Sequence, residues 1–282
     1  MRIHHLNCGT DCPLGGALFD GRSKGPLGHL VCHCWLLETN EGLVLVDTGY
    51  GLRDVDHPHR RPQPRITKAM RTMLNIRLCE EETAVRQIEA LGFRAADVRH
   101  IVLTHLDFDH AGGLEDFPQA TVHLMDAEFS AATGPRNGFV PRNRYRPSQF
   151  DEVHAWKRYT GRGESWMGFP AVRGLEGLPP EILLVPLPGH TWGHAGVAID
   201  TGSGWMLHAG DAYFYRNEVR QAKRQCTPGL RGYQNMMEVD RAARLSNQAR
   251  LRKLSLERAG EVRMVCAHDV VELEACQAGR PL

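Results

Sequence analysis

The ten residues 104–113 place four side chains that can bind a metal within six positions: His105, Asp107, Asp109 and His110. They follow the apolar run Ile101-Val102-Leu103, which is typical of a buried strand, and they precede a Gly-Gly pair. A strand that ends in clustered imidazoles and carboxylates presents them together at one edge of a sheet. Polar loops are usually made of other residue types, so this segment indicates a metal site.

Three later segments repeat the arrangement of an apolar run followed by a metal-binding side chain. Their runs lead to His190, Asp211 and His268. Each of these residues has Gly or Ala beside it, where another stretch of backbone can approach closely. Sites in open α/β sheets form outside the carboxyl ends of the strands. The four segments together therefore predict one shared site.

These motifs resemble those of the metallo-β-lactamase superfamily. The matching elements are Asp-Thr-Gly at 47–49, His-x-Asp-x-Asp-His at 105–110, Pro-Gly-His-Thr at 188–191, Gly-Asp at 210–211 and the late His268. The Asp-Thr-Gly, Asp-His-Ala-Gly-Gly and Gly-Asp-Ala elements most resemble the N-acyl-homoserine lactone lactonase branch. The resemblance spans roughly residues 30 to 270, and it implies an α/β fold of the four-layer αββα sandwich type.

The resemblance also implies two divalent metal ions. His105, Asp107 and His190 would hold the first ion, Asp109, His110 and His268 the second, and Asp211 would bridge them. A hydroxide shared by the ions would attack a carbonyl, which gives Asp109 and Asp211 a catalytic role as well. Zinc is the expected metal, with iron, manganese or cobalt as alternatives at the first position.

Asp107 departs from the family pattern, which has a histidine at that position. Three carboxylates and one hydroxide would balance two divalent ions completely, whereas the histidine version keeps one positive charge. This count predicts a less acidic bound water and weaker attraction for anionic substrates. The oxygen ligand also favours iron, manganese or cobalt at the first position. On this reasoning, D107H would move the pH–rate profile to lower pH.

A proton donor for the leaving group is expected near the bridging aspartate. The lactonase branch has a tyrosine three residues after it, and this chain has Phe214 there. Tyr213 and Tyr215 flank that position and are the candidate catalytic phenols. Asp47, in its Asp-Thr-Gly turn, is expected to hydrogen-bond behind a metal-binding histidine.

Composition describes an ordinary globular protein. The chain has 282 residues, 42% of them hydrophobic, and a formal net charge of +1, which predicts a single domain over residues 1–282 and gives no electrostatic reason to expect nucleic acid. The absence of a signal-like start or a long apolar run favours a cytoplasmic protein that does not enter a membrane. The expected partner is a small molecule with a hydrolysable carbonyl, and a homodimer is compatible with the sequence.

Three further features lead to expectations about structure. Cys8, Cys12, Cys32 and Cys34 could bind a structural zinc, although strand alternation puts Cys32 and Cys34 on one face, where cysteines commonly pack as small hydrophobes. Two segments rich in glycine, proline and arginine, 51–78 and 134–178, are expected to be insertions that cover the site. A single long helix is predicted over 236–259.

Hydrolysis of a lactone or related ester, with N-acyl-homoserine lactones among the substrates, is the leading hypothesis. A thioesterase of the glyoxalase II type is an alternative function, because Arg142, Arg144 and Arg146 could bind an anionic thiol carrier. A phosphodiesterase or nuclease stays open because both arginine-rich segments would suit phosphates. An iron-binding oxidoreductase is the alternative from a different class, since flavodiiron-type members carry a carboxylate at the position of Asp107.

Overall fold

The computed structural model describes residues 1–56, 65–161, 163, 165–170 and 174–282. Its larger sheet contains seven strands: β1 (Arg2–Asp11), β2 (Leu30–Thr39), β3 (Gly42–Val46), β4 (Ile76–Arg77), β5 (Val98–Val102), β6 (Thr121–Met125) and β7 (Trp156–Tyr159). Their order across the sheet is β4-β1-β2-β3-β5-β6-β7. The pairs from β3 to β7 are parallel, whereas β1 pairs antiparallel with β2 and β4, and β2 antiparallel with β3.

A second sheet has the order β10-β11-β12-β13, and a two-stranded hairpin stands apart from both sheets. The strands of this sheet are β10 (Ile182–Pro186), β11 (Ala195–Asp200), β12 (Trp205–His208) and β13 (Val262–Val265), and the hairpin strands are β8 (Ser165–Trp166) and β9 (Phe169–Pro170). β12 and β13 are parallel, while β11 runs antiparallel to both of its neighbours.

The helices lie between these strands along the chain. They are α1 (Ala17–Asp20), α2 (Leu52–Asp56), α3 (Lys68–Leu74), α4 (Ala84–Ala90), α5 (Asp126–Thr133), α6 (Phe139–Arg144), α7 (Pro228–Met237), α8 (Arg241–Glu257) and α9 (Val270–Gln277). None of the helices in the described ranges combines the length and the apolar character needed to cross a bilayer.

The two sheets pack face to face, and helices cover their outer faces. Alternate residues of β2, such as Trp35 and Leu37, enter a core shared with Leu184 and Val197 of the second sheet. The intervening Leu36 packs on the other side, with residues of α4 and α5. On the far face of the second sheet, α8 contributes buried leucines to a third cluster. This arrangement is the αββα sandwich expected from the sequence.

The sandwich places all the motif segments at one edge. β3 and β5 are parallel neighbours, and so are β12 and β13, while β10 runs in the same direction as β12 because both are antiparallel to β11. The loops that follow β3, β5, β10, β12 and β13 therefore emerge from matching ends of their strands. Each strand is short and mostly buried, so its carboxyl end is a fixed position from which the next side chain projects.

One expectation about chain organisation needs correction. The predicted helix over 236–259 is broken, because Glu238 has an extended backbone (ψ 139°) and Asp240 starts α8 as its N-cap, accepting from the Ala243 amide at 2.9 Å. Within the segment 134–178, β7 extends the larger sheet. That the segments 51–78 and 134–178 cover the site stays a prediction, and positions 57–64, 162, 164 and 171–173 of them lie outside the described residues.

All eight cysteines are free thiols. Cys8 and Cys34 pack in the core beneath α4, whereas Cys32 belongs to a separate cluster and Cys12 is half-buried. In the part of the chain that the structure describes, these four thiols do not come together in any group of side chains that could bind a metal ion. The alternative of a four-thiolate structural zinc therefore finds no geometric support, and packing explains their burial.

Glu128, a buried residue of α5, joins two of the motif loops. Its Oε1 accepts from the Leu106 amide at 3.0 Å, and its Oε2 accepts from the Thr191 hydroxyl at 2.6 Å and the Gly193 amide at 3.1 Å. Gly193 is needed there, because a Cβ would stand 2.0 Å from the Glu128 nitrogen. One carboxylate thus holds the loop after β5 against the loop after β10.

E128Q should lower the free energy of unfolding by about 1–3 kcal/mol, because in either orientation the new amide nitrogen would face a buried backbone N–H, of Leu106 or of Gly193, and leave that donor unsatisfied. The comparison is urea unfolding of wild type and variant at one fixed metal concentration. E89Q is the matched control: Glu89 is exposed and pairs only with Arg86 on α4, so its loss should cost less than about 0.5 kcal/mol. Equal midpoints for E128Q and wild type would contradict the assignment.

Candidate functional site

Seven metal-binding side chains meet where the loops after β5, β10, β12 and β13 come together. Each of them is at most 5% exposed. The members of this ligand cluster are His105, Asp107, Asp109, His110, His190, Asp211 and His268. These are the seven residues that the sequence predicts as metal ligands, and the fold brings all of them to one place.

The first half of the ligand cluster surrounds a space of metal size. His190 Nε2 lies 3.0 Å from Asp107 Oδ2 and 3.3 Å from Asp211 Oδ2. His105 Nε2 lies 3.5 Å and 3.7 Å from the same two oxygens. Four ligands at about 2.0–2.1 Å from a tetrahedral zinc would be about 3.4 Å apart. The observed separations match that geometry.

The second half is built around the other oxygen of Asp211. Asp211 Oδ1 lies 3.3 Å from His110 Nε2 and 3.1 Å from His268 Nε2. His268 Nε2 is 3.7 Å from Asp109 Oδ2. Asp211 therefore offers one oxygen to each half, which is the geometry that a bridging ligand requires.

Hydrogen bonds orient three of the four imidazoles. The Nδ1 atoms of His110 and His268 lie 2.8 Å from Asp47 Oδ2 and 2.7 Å from the Val31 carbonyl. Both partners can only accept, so each Nδ1 carries a hydrogen and each Nε2 faces the cluster, where the neutral form of the ring can bind an ion. The Thr104 hydroxyl donates to Asp47 and can accept from His105 Nδ1 at 2.9 Å.

Asp47 performs the supporting role expected from its turn. It adopts a left-handed backbone conformation (φ 55°), which aspartate tolerates better than most residues. Its Oδ1 also accepts from the Thr104 amide at 2.8 Å. Burial opposes ionisation, but neighbouring His110 keeps the pKa of Asp47 below its usual range. The carboxylate is thus an anion that fixes the His110 ring.

His194 fixes the backbone of Asp211 in a similar way. Its Nδ1 donates to the Leu187 carbonyl at 3.0 Å, and its Nε2 accepts from the Asp211 amide at 2.9 Å. Burial lowers the pKa of His194 well below its usual value, which keeps the ring neutral and able to accept. His194 is therefore a support behind the cluster.

The unpartnered atoms of the ligand cluster fit divalent ions. His105 Nε2, His110 Nε2 and Asp211 Oδ1 are buried and make no hydrogen bond with the described residues. Buried polar atoms without partners are costly, and lone pairs aimed at one another repel. Imidazole nitrogens and carboxylate oxygens are ligands of zinc and of neighbouring transition metals. The donor set therefore suits two such ions.

Arg144 belongs to the site in a role that the sequence did not indicate, since the sequence suggested it only as one of three arginines for an anionic thiol carrier. This fully buried side chain comes from the end of α6, where Tyr145 forms an isolated β-bridge with Asp107. Its Nε lies 2.9 Å from Asp107 Oδ1, and its Nη2 donates to Asp107 Oδ2 at 3.0 Å. Nη2 is also 3.0 Å from His190 Nε2, and Nη1 donates to the His190 carbonyl at 2.9 Å.

The Arg144 cation sets the protonation of both neighbours. Although burial opposes ionisation, Arg144 holds the pKa of Asp107 well below its usual range. Burial, followed by Arg144, lowers the pKa of His190 to about 4. Asp107 is thus an anion and His190 a neutral ring that can accept from the guanidinium.

Arg144 also changes the charge count made from the sequence. The extra carboxylate at position 107 is balanced by this guanidinium, so the site keeps the single positive charge of the histidine version. The expected lower acidity of the bound water loses its basis, and so does the expected effect of D107H on pH dependence. The sequence carried one signal for Arg144, since a buried carboxylate in place of an imidazole requires a compensating cation.

Neither predicted catalytic tyrosine is directed to the ligand cluster. The Tyr213 hydroxyl donates to the Glu272 carboxylate at 3.1 Å, within the core beneath α8. Tyr215 packs beside Leu30 and Leu230, with the Arg216 guanidinium 4.7 Å from its ring centroid. Of the three consecutive aromatic residues in the turn after Asp211, the middle one, Phe214, lies against the site.

Phe214 and Tyr233 form an aromatic wall beside the ligand cluster. The Phe214 ring stacks on His268 at 5.0 Å between centroids and lies 5.8 Å from the His190 ring. Tyr233, from α7, meets Phe214 edge-on at 5.6 Å. Burial, and then the carboxylates of the cluster, Asp109 first, raise the pKa of Tyr233 well above its usual value. Sequence reasoning missed Tyr233, because its helix is distant from every motif.

Cys32 of β2 approaches the second half of the ligand cluster. Its Sγ and ligand atoms of Asp109 and His268 lie within 4.8 Å of one another. Burial raises the pKa of the Cys32 thiol well above its usual value, so the sulfur is a neutral neighbour of the carboxylate. Only the fold makes this approach visible, since Cys32 is far from the motifs in sequence.

Comparisons with known proteins agree with the fold. A model of the metallo-β-lactamase superfamily matches residues 27–125. A probable metallo-hydrolase of Mycobacterium tuberculosis is 39% identical over 269 residues, covering 95% of this chain and 80% of the relative. An N-acyl homoserine lactonase of Bacillus cereus is 29% identical over 209 residues, covering 72% of this chain and 74% of the relative.

Among solved structures, the chain is similar to an N-acyl homoserine lactone hydrolase with the product N-hexanoyl-L-homoserine bound at its catalytic metal centre. The TM-score is 0.68 at 22% identity, with 97% of this chain and 95% of that chain covered. At this identity the likeness establishes the fold. Together with the 39% identical relative and the family model, it shows that this chain belongs to the metallo-β-lactamase superfamily and is a metal-dependent hydrolase.

Proposed function

We propose that this protein is a two-metal hydrolase that opens a lactone or a related ester, with N-acyl-homoserine lactones as the first substrate class to test. The observation that carries the proposal is the buried convergence of four imidazoles and three carboxylates, with three of the Nε2 lone pairs aimed inward by hydrogen bonds at Nδ1. The lactonases among its relatives support the choice of substrate class.

Each half of the ligand cluster would bind one metal ion. His105, Asp107 and His190 would hold one ion, and Asp109, His110 and His268 the other, with one Asp211 oxygen for each. Divalent ions bound there would polarise a carbonyl and bring the pKa of a bound water towards neutrality. Zinc is the metal that we propose, and the carboxylate of Asp107 leaves iron, manganese or cobalt as candidates in the first half.

The buried position of Arg144 favours an acyl substrate without a large anionic carrier. Of the three arginines that could have bound such a carrier, Arg144 is enclosed and paired with Asp107. Arg146 is half-buried and donates to the Arg65 carbonyl at 2.8 Å. Two of the three arginines expected to bind an anionic carrier in a thioesterase of the glyoxalase II type thus form contacts within the protein instead.

D211A should reduce the ring opening of N-hexanoyl-homoserine lactone to the buffer rate, because both ions lose a shared ligand. The measurement is the rate of carboxylic acid formation by zinc-loaded protein, together with the zinc content after gel filtration. D200N is the matched control, since Asp200 lies at the end of β11 and accepts only a local bond from Gly202. Retention of turnover by D211A, or loss of it in D200N, would contradict the proposal.

We also propose that Tyr233 supplies the phenol that Phe214 cannot. The partly buried Tyr233 ring packs edge-on against Phe214, close enough to the cluster for the charges of its carboxylates to add to burial in raising the tyrosine pKa. A phenol with a raised pKa stays protonated and can donate to the oxygen that leaves as the ester bond breaks. The position of this hydroxyl on α7 would compensate for the phenylalanine after the bridging aspartate.

Y233F should lower kcat for the same lactone by about a hundredfold with a smaller change in KM, as expected when a proton donor is lost. Metal content should stay at the wild-type value, which separates this effect from ligand loss. Y215F removes a phenol outside the cluster and should leave kcat within about twofold of wild type. Equal losses in Y233F and Y215F, or none in Y233F, would reject the assignment.

A further inference from the structure

The two halves of the ligand cluster differ in one respect that the seven ligands themselves do not explain. In the first half, the Arg144 guanidinium is 3.0 Å from His190 Nε2 and 3.0 Å from Asp107 Oδ2. These are the two atoms that a metal ion would need. Arg144 is fully buried, and its contact with the His190 carbonyl leaves it little freedom to move away.

The second half has no such competitor among the described residues. The ion pairs of Asp109, His110 and His268 there are formed with one another, with Asp211 and with the supporting Asp47. His110 and His268 are also anchored at Nδ1, whereas the buried His190 Nδ1 has no hydrogen-bond partner among the residues that the structure describes. The second half is therefore prearranged for a cation, and the first half already contacts one.

We propose that Arg144 makes the two metal sites unequal, so that the second half binds a divalent ion at least about tenfold more tightly than the first. An ion entering the first half must take the His190 lone pair from the guanidinium and share Asp107 with it. Repulsion between two cations in a buried site adds to this cost. With limiting metal, the protein would carry one ion and use the guanidinium as its second positive charge.

The inference rests on the proposed two-metal function, and metal binding tests it without any substrate. The full-length protein is stripped with a chelator and titrated with Co²⁺, followed by visible absorption and by calorimetry. Wild type should show two steps that differ at least about tenfold in Kd. H268A should lose the tighter step, and H190A the weaker one.

R144Q removes the competing charge and should tighten the weaker step at least about tenfold, while the tighter step changes little. R142Q is the matched control, because Arg142 belongs to the same helix but is exposed and donates to the Arg136 carbonyl. Its titration should match that of wild type. Circular dichroism and Tm verify that each variant is folded.

R144Q leaves the Asp107 carboxylate buried and unpaired, so this variant could fail to fold. A second variant keeps the inference testable in that case. D107H/R144L removes both charges together and restores the imidazole of the family pattern, so no buried charge lacks a partner. The two binding steps of this double variant should merge into one. D107H alone should show a weaker second step than wild type, because Arg144 then remains in the first half without its anionic partner.

Equal affinities in wild type, loss of the tighter step in H190A, or an unchanged weaker step in both folded Arg144 variants would each overturn the inference. None of these results would affect lactone hydrolysis by the fully loaded protein. A failure of the proposed function would instead appear as metal-loaded protein without hydrolysis, so the two failures are distinguishable.

Discussion

The spacing of the ligand cluster depends on a carboxylate that is not part of it. Glu128 receives two backbone amides and one hydroxyl from loops that belong to different sheets. Buried amides at the ends of strands need acceptors, and no water is required where one anion serves three donors. A second clamp works on the opposite side, where buried Arg65 pairs with Asp54 and donates to the Gly112 carbonyl. Residues outside the ligand cluster thus help to set the distances between the metal-binding side chains.

Charge balance links these clamps to the chemistry. Three buried carboxylates share imidazole neighbours, since Asp107 and Asp211 both lie beside His190 while Asp109 and Asp211 both lie beside His268, and such a group is stable only with cations among them. The superfamily pattern leaves that task to metal ions and imidazoles. Here a carboxylate replaces one imidazole and a guanidinium from α6 accompanies it, so one exchange compensates for the other. The carboxylate of Asp107 and the guanidinium of Arg144 therefore form one charge-balanced pair.

The sequence allowed the sandwich and the meeting of the seven ligands to be predicted, because each ligand follows a short apolar strand and strands that run in the same direction end at the same edge of a sheet. It did not reveal Arg144 or Tyr233, since a single arginine in a loop or a tyrosine in a helix carries no periodic signal of where it points. Tyr213 and Tyr215 were predicted from their proximity in sequence to Asp211, which does not determine where their side chains point, and the structure packs them against Glu272 and Leu30. The long helix over 236–259 was predicted from composition, which does not register the local capping by Asp240.

The bond between His268 Nδ1 and the Val31 carbonyl joins residues 237 positions apart. The first half of the ligand cluster draws on residues between 105 and 211, but the second also needs this late histidine and the early strand behind it. During synthesis on the ribosome, a chain that has emerged only as far as Asp211 would already contain every ligand of the first half, whereas the second half would still lack His268. The second half can therefore be completed only after the late strand β13 has joined the early strand β2.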